Sequence, residues 1–277
     1  MSLKCGIVGL PNVGKSTLFN ALTRAGIAAE NYPFCTIEPN VGIVEVPDKR
    51  LAELAAIVKP QKVQSAIVEF VDIAGLVAGA SKGEGLGNKF LATIRETDGI
   101  INMVRCFKND NVVHVSGKVD PISDIETIQT ELALADLATV EKVLQRETKL
   151  ARSGDKEAVK FAALLEKARA HLDQGKPVRS LGLDREQRDL LKPLCLLTAK
   201  PAIYIANVDE KGFTDNPLLT RVEDYAAGEG APVVAICAAL ESEIAEMPDE
   251  DKQIFLADMN LEEPGLNRLV RAAYQLL

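Results

Sequence analysis

The chain has 277 residues, more than most single domains contain, which predicts one large domain with an insertion or two domains. Hydrophobic residues make up 47% and charged residues 26%, as is typical of a soluble globular protein. The net charge of −8 argues against a chain that coats DNA or RNA, although it allows a local basic patch. No apolar run is long enough to span a membrane, and the N-terminal residues show no signal-peptide pattern.

The five cysteines are scattered, odd in number and never at metal-ligand spacing, which fits a reduced, cytoplasmic compartment. Cys5, Cys106 and Cys237 lie in or beside apolar strand-like runs and are predicted to be small core residues. Cys35 lies in a loop beside Thr36, so it is either an exposed thiol or an inert loop residue.

The first 107 residues alternate between strand-like and helix-like patterns. The predicted elements are strand 3–9, helix 15–24, loop 26–40, strand 41–46, a helix capped by Asp48, strand 66–71, glycine-rich loop 75–87, helix 89–96 and strand 99–107. Such alternation predicts βαβ units and a mostly parallel sheet.

The pattern then changes to a charged, helix-periodic stretch from 124 to about 172 with no strand candidate. A polar break at 152–155 divides it, which predicts an antiparallel helical hairpin. After a linker at 175–182, Asp184 and Gln187 form a capping-box pattern that predicts a third helix.

Strand character returns at 202–206 and 232–236, and the final helix is predicted over 266–277. The chain is therefore predicted to be an α/β domain, made of residues 1–123 and 198–277, with an inserted helical coiled-coil arm made of residues 124–197.

The segment 9–16 reads Gly-Leu-Pro-Asn-Val-Gly-Lys-Ser and matches the phosphate-binding loop pattern, with a strand before it and a helix after it. Backbone N–H groups of such a loop point at phosphate oxygens. Lys15 is expected to reach the β- and γ-phosphates, and Ser16 to bind Mg²⁺. The residues expected to contact phosphate are Asn12, Val13, Gly14, Lys15, Ser16 and Thr17.

Three further residues complete the predicted triphosphate and metal site. Asp72 follows a strand and could hold Mg²⁺ through a water, while the N–H group of Gly75 could meet the γ-phosphate. Thr36 lies between the first helix and the second strand, where it could bind Mg²⁺ when the γ-phosphate is present. Together with the phosphate loop, this order is that of a GTPase-type domain.

Guanine-specific domains carry Asn-Lys-x-Asp after a later strand, and the aspartate accepts two hydrogen bonds from guanine. Here the corresponding residues are Asn207, Val208, Asp209 and Glu210, so the lysine is replaced and the acidic side chain is one methylene longer. A displaced bidentate acceptor loses much of its discrimination, which favours ATP over GTP. Asp209 could take over the role, so GTP remains the alternative.

Hydrolysis also departs from the common GTPase pattern. Leu76 stands where many GTPases have a glutamine that orients the attacking water, which predicts slow or partner-dependent turnover. The chain has two histidines. His171 lies on the helical arm and is expected to be exposed, whereas His114 follows strand 99–107 and could either position water or be a packed residue.

Four stretches resemble the Obg-like ATPase (YchF) family, within the TRAFAC class. They are the phosphate loop Gly-Leu-Pro-Asn-Val-Gly-Lys-Ser-Thr, the run Asn-Tyr-Pro-Phe-Cys-Thr-Ile-Glu-Pro-Asn at 31–40, Asp-Ile-Ala-Gly-Leu-Val at 72–77, and Asn-Val-Asp-Glu at 207–210. The resemblance covers essentially the whole chain.

The resemblance implies a Ras-like P-loop domain with an inserted coiled-coil arm, a preference for ATP over GTP, and Asn207 and Val208 near the adenine. Leu76 matches the hydrophobic residue that replaces the catalytic glutamine in this family. His114, within His-Val-x-Gly-x-Val-Asp-Pro, matches the histidine proposed to assist hydrolysis. Family members associate with ribosomes and are linked to translation and stress responses.

Family members usually continue into a C-terminal TGS domain, a small β-rich module. The sequence ends at Leu277 without one. Ribosome or RNA contacts that use the TGS domain are therefore not expected from these residues.

Overall fold

A computed structural model of the chain describes residues 3–26, 40–73, 86–109, 111–115, 117–259 and 261–276. The predicted site residues Thr36 and Gly75 lie outside these ranges, as do Leu76 and Cys35. The described residues form two compact units, an α/β unit and a helical unit.

Within the described residues, six strands form one sheet: β1 (Leu3–Val8), β2 (Val41–Glu45), β3 (Ile67–Asp72), β4 (Gly99–Arg105), β5 (Ala202–Asn207) and β6 (Val233–Ile236). The strand order is β2-β3-β1-β4-β5-β6, and only the β2–β3 pair is antiparallel. The predicted mostly parallel sheet is confirmed. Every residue of β4 and β5 is buried, which fits their apolar sequences because central parallel strands are covered on both faces.

The described part of the chain also contains ten α-helices: α1 (Lys15–Ala25), α2 (Lys49–Val58), α3 (Leu86–Arg95), α4 (Pro121–Arg152), α5 (Lys156–Asp173), α6 (Arg185–Leu191), α7 (Pro217–Glu229), α8 (Ala238–Glu246), α9 (Asp249–Asp258) and α10 (Gly265–Leu276). None of these helices is both long and apolar enough to cross a membrane.

The α/β unit contains the sheet together with α1, α2 and α7 to α10. Leu18 and Leu22 of α1 are fully buried, and α10 buries Leu269 and Val270 on one face. The parallel strands β1, β3, β4 and β5 end at the same edge of the sheet. The segments that follow them are therefore brought together, although they are far apart in sequence.

The helical unit contains α3, α5 and α6, and most of α4. Asp155 caps α5 by accepting hydrogen bonds from the N–H groups of Glu157 and Ala158, which explains the predicted break between the two long helices. The capping box of Asp184 and Gln187 is also present at the start of α6. The core of the unit comprises Ala133, Val140, Leu144, Leu164, Leu165, Leu172, Val178, Leu191 and Leu196.

Three details of the helical unit differ from the sequence-based expectation. The predicted linker at 175–182 contains a short 3-10 turn, Val178–Ser180, because Val178 is buried and its N–H donates to Thr198 Oγ1. His171 is partly buried rather than exposed, and its Nε2 lies 2.8 Å from Ser180 Oγ. Helix α3 begins at Leu86 and groups with the helical unit. The domain boundaries at 123 and 198 stay a prediction.

Candidate nucleotide-binding site

The phosphate loop connects β1 to α1 and depends on two glycines. Gly14 has φ 102°, and a Cβ placed on it would lie 2.4 Å from Asn207 Nδ2. A Cβ on Gly9 would lie 2.5 Å from the carbonyl oxygen of Met103. Both positions therefore need a glycine for lack of space. At position 14 the left-handed backbone is a second reason for glycine. Asn12, with φ 64°, is left-handed too, a conformation that asparagine tolerates better than most residues.

Lys15 is the first residue of α1, and its side chain is folded back along the phosphate loop. Its Nζ donates to the carbonyl oxygens of Gly9 at 2.9 Å and Leu10 at 3.1 Å. Burial lowers the pKa of Lys15, and the negative charge of Asp72 opposes this change. The cation is thus held beside the loop where a phosphate would be bound.

Asp72 ends β3, and its carboxylate oxygens lie close enough to Lys15 to interact with its charge. Burial raises the pKa of its carboxyl group, while Lys15 acts in the opposite direction. Its Oδ1 is buried without a hydrogen-bond partner among the described residues. Ser16 is exposed at the start of α1. A buried carboxylate oxygen and the hydroxyl of an exposed serine are oxygen ligands of the kind that Mg²⁺ prefers, so the chemistry of these two residues fits the metal.

Asn207, the last residue of β5, joins the phosphate loop to the start of α8. Its Nδ2 donates to the carbonyl oxygen of Val13 at 2.8 Å, and its Oδ1 accepts from the N–H of Ala238 at 3.0 Å. The side chain is only 4% exposed. Asn207 therefore holds two segments of the site in place. It does so with its amide Nδ2 and Oδ1, the same groups that would bond to a nucleotide base.

A cleft of about 590 Å³ in the α/β unit adjoins these residues. It brings three predicted phosphate-loop residues together with the whole 207–210 motif. Its lining comprises Asn12, Gly14, Thr17, Phe107, Asn109, Val112, Asn207, Val208, Asp209, Glu210, Lys211, Cys237, Ala238 and Ala239. Val208 lines the cleft and is 2% exposed, so little of its surface is open to solvent.

Sequence reasoning missed one side of this cleft, formed by Phe107, Asn109 and Val112. These residues follow β4, a central strand of the sheet. Because ligands of open α/β sheets bind beyond the carboxyl ends of the strands, this position was the signal that could have found them.

His114 belongs to the same segment after β4 and is 7% exposed. Its neighbour Val113 accepts a hydrogen bond of 3.1 Å from Asn12 Nδ2, so the segment contacts the phosphate loop directly. The carbonyl of His114 itself accepts from the N–H of Gly117. The structure thus brings the His114 loop to the phosphate loop, whereas His171 belongs to the helical unit.

Comparison with known proteins adds to this geometry. A family model described as 50S ribosome-binding GTPase matches residues 4–144. The ribosome-binding ATPase YchF of Haemophilus influenzae is 62% identical over 277 residues, which are all of this chain and 76% of that protein. The chain belongs to the YchF family.

The YchF protein of Bacillus subtilis is 55% identical over 280 residues, again across the whole chain and 76% of that protein. A solved structure described as the Schizosaccharomyces pombe YchF GTPase matches with a TM-score of 0.86 and 34% identity, over 100% of this chain and 76% of that one. The resemblance carried by the four motifs is therefore confirmed. The names of these proteins differ in one respect, since the bacterial proteins are called ATPases and the Schizosaccharomyces pombe protein a GTPase.

Proposed function

We propose that this member of the YchF family is a Mg²⁺-dependent ATPase with slow intrinsic turnover. The observation that carries the proposal is the cleft, which joins the phosphate loop to a base-side motif reading Asn-Val-Asp-Glu instead of Asn-Lys-x-Asp. The names of the bacterial relatives, ribosome-binding ATPases, support this choice.

Each residue has a proposed role in binding. Backbone N–H groups of residues 12–17 bind the phosphates, and Lys15 neutralises their charge. Ser16 and Asp72 hold Mg²⁺, which stabilises the negative charge of the phosphates when it is bound. Thr36, as a further metal ligand, and Gly75, at the γ-phosphate, complete the set and lie outside the described residues.

His114 is proposed to position the attacking water, because Leu76 has no polar group for this task. The test is single-turnover hydrolysis of Mg²⁺-ATP by the wild type and by His114→Ala. We expect a rate loss of at least about 100-fold with nearly unchanged ATP affinity. His171→Ala is the matched control, since it removes the other histidine, and should be silent. A silent His114→Ala would remove the catalytic role.

The proposed partner is the ribosome, in the cytoplasm, with a role in translation or stress regulation. The bacterial relatives are named ribosome-binding ATPases, which supports the ribosome as the partner. An alternative is a nucleotide-gated ribosome-binding module in which hydrolysis is incidental. Repeating the single-turnover assay with ribosomes separates the two, because an ATPase that acts on the ribosome should be accelerated by it. If ribosomes leave the hydrolysis rate unchanged but bind the protein only with one nucleotide, the ribosome-binding module is favoured.

GTP is the second candidate, since Asp209 and Glu210 both line the cleft and could accept hydrogen bonds from guanine. Titration of the protein with ATP and with GTP, each with Mg²⁺, decides between them. We expect tighter binding of ATP. Tighter binding of GTP would overturn this interpretation of the 207–210 motif.

A further inference from the structure

Arg105, at the end of β4, is a buried cation that donates three hydrogen bonds to the segment after this strand. Its side chain is 1% exposed. Nε donates to the carbonyl oxygen of Phe107 at 3.1 Å, Nη1 to that of Val112 at 2.9 Å and Nη2 to that of Asn109 at 3.0 Å. The Phe107 ring lies over the guanidinium, with Cζ 4.6 Å from the ring centroid. The planar group thus holds a turn together from inside.

The three residues that accept these bonds are the same three that line one side of the nucleotide cleft. We call these three residues, Phe107, Asn109 and Val112, the β4 wall. These three residues lie outside the strands and helices, so their carbonyl groups have no partner in a regular element. Arg105 supplies three such partners at once.

The β4 wall adjoins the base side of the cleft. The N–H of Cys106, immediately before the wall, donates to the carbonyl oxygen of Asn207 at 2.7 Å. The carbonyl of Cys106 accepts from Asn216 Nδ2 at 2.9 Å. At its other end, the wall is followed by Val113, which is bonded to Asn12 of the phosphate loop.

We infer that Arg105 is a positioning residue for the nucleoside, acting through the β4 wall without touching the ligand. The inference rests on the proposed function, because it takes the cleft as the nucleotide site. A wall that is already ordered before binding reduces the entropy lost on binding, and so increases affinity for the base and ribose. Phosphate binding, which uses the loop at 9–17, does not depend on it.

Lysine cannot replace arginine in this role. The three acceptors lie around a flat guanidinium, whereas an ammonium group is a single point charge on a flexible stem. Arg105→Lys therefore keeps the charge but leaves at least one of these partly buried carbonyl groups without its donor.

The test compares binding of ATP, ADP and inorganic tripolyphosphate, each with Mg²⁺, to the wild type and to Arg105→Lys. We expect the variant to bind ATP and ADP about tenfold more weakly, with tripolyphosphate within about twofold of the wild type. The KM for ATP should rise while kcat changes little, because interactions with the nucleoside are the same in the ground and transition states. Arg271→Lys is the control, since Arg271 pairs with Glu263 in the same unit and lines another cavity. It should leave all three affinities unchanged.

Equal weakening of all three ligands, or of none, would overturn the inference. A wild type that does not bind ATP would instead refute the proposed function, and that result is visible before any variant is made. If Arg105→Lys does not fold, the guanidinium signals of the nucleotide-free wild type provide a second test by ¹⁵N NMR. A group fixed by three hydrogen bonds should show slowly exchanging Nε–H and separate Nη–H resonances. An averaged, rapidly exchanging signal would show that the wall is not held by Arg105.

Discussion

A single amide side chain, that of Asn207, connects the phosphate loop to the start of α8. It can do so only because Gly14 has no side chain at the point where the amide passes. Both bonds of Asn207 are made to backbone groups, the carbonyl of Val13 and the N–H of Ala238. We therefore expect nucleotide binding to depend on the shape of the phosphate loop and the orientation of its backbone groups as much as on charge.

The Gly14→Ala substitution should strongly impair nucleotide binding. The added Cβ would collide with Asn207 Nδ2 and would also occupy a left-handed backbone conformation at a cost of about 1–2 kcal/mol. Gly154→Ala is the matched control, because Gly154 has φ 92° and a Cβ there meets nothing within 4 Å. Both variants should lose stability in thermal unfolding, but only Gly14→Ala should lose ATP affinity in a titration. Equal ATP binding by the two variants would refute the role of the close contact.

The charged carboxylate of Asp72 is predicted to lower the stability of the metal-free protein at neutral pH, although Mg²⁺ binding needs it. Burial raises the pKa of its carboxyl group, so the folded protein disfavours the charged form. The stability that this group contributes is present below its unfolded pKa and is lost as pH rises through the raised folded pKa. Asp72→Asn should therefore increase the Tm of the nucleotide-free protein at pH 7 by a few degrees, and this difference should disappear in acid.

Thermal unfolding across pH, without Mg²⁺, measures this effect. Asp48→Asn is the control of opposite sign, because a hydrogen bond from Arg50 lowers the pKa of Asp48 and its charge is favoured in the fold. Asp72→Asn should also lose Mg²⁺-dependent ATP hydrolysis. A Tm for Asp72→Asn that falls at pH 7 would contradict the argument.

Among the elements, α5 and α6 of the helical unit begin where local capping signals predict, but packing in this unit also depends on a buried carboxylate. Asp136 of α4 accepts hydrogen bonds from the N–H groups of Leu197 and Thr198 and from Thr198 Oγ1, at 2.7–2.8 Å. It is 1% exposed. It thus connects the long helix α4 to the 3-10 turn Leu197–Ala199, which comes just before β5 in the chain.

Removal of this carboxylate should destabilise the helical unit. Asp136→Ala leaves buried N–H and O–H donors unsatisfied, which we expect to reduce the free energy of unfolding by about 2–3 kcal/mol. Glu141→Ala, at an exposed position on the same helix, should change it by about 0.5 kcal/mol or less. Urea unfolding followed by circular dichroism measures both. Similar losses in the two variants would show that the buried bonds are not what holds this turn.

Helix α8 shows where local sequence patterns are insufficient to predict an element. Helix α8 was not predicted, in part because its Glu241 is typical of a solvent-exposed position. In the structure Glu241 is buried and accepts hydrogen bonds from the N–H groups of Gly265 and Leu266. The start of α1 at Lys15 and the cap of α6 were predicted correctly, because the phosphate-loop and capping-box patterns are contained within a few residues.

For the whole molecule, nucleotide binding should appear as increased stability. A ligand that binds only the folded state at 100 times its Kd stabilises it by about 2.7 kcal/mol. In a chain of this size we expect Mg²⁺-ATP to raise the Tm by about 5 °C or more, and GTP to raise it less. Lys15→Ala should abolish the shift while the protein remains folded. A larger shift with GTP, measured by the same thermal unfolding, would favour the GTPase alternative.

The sequence alone determined the phosphate loop, the strand and helix alternation and the YchF resemblance, because each depends on residues close together in the chain or on recognisable motifs. Only the tertiary structure revealed that Asn207 uses its amide on Val13 and Ala238, and that Phe107 and its neighbours form a side of the cleft. Val13 and Asn207 are 194 residues apart in sequence. Their contact exists because the strand order places β1 and β5 on either side of β4, and no local pattern of side chains records that order.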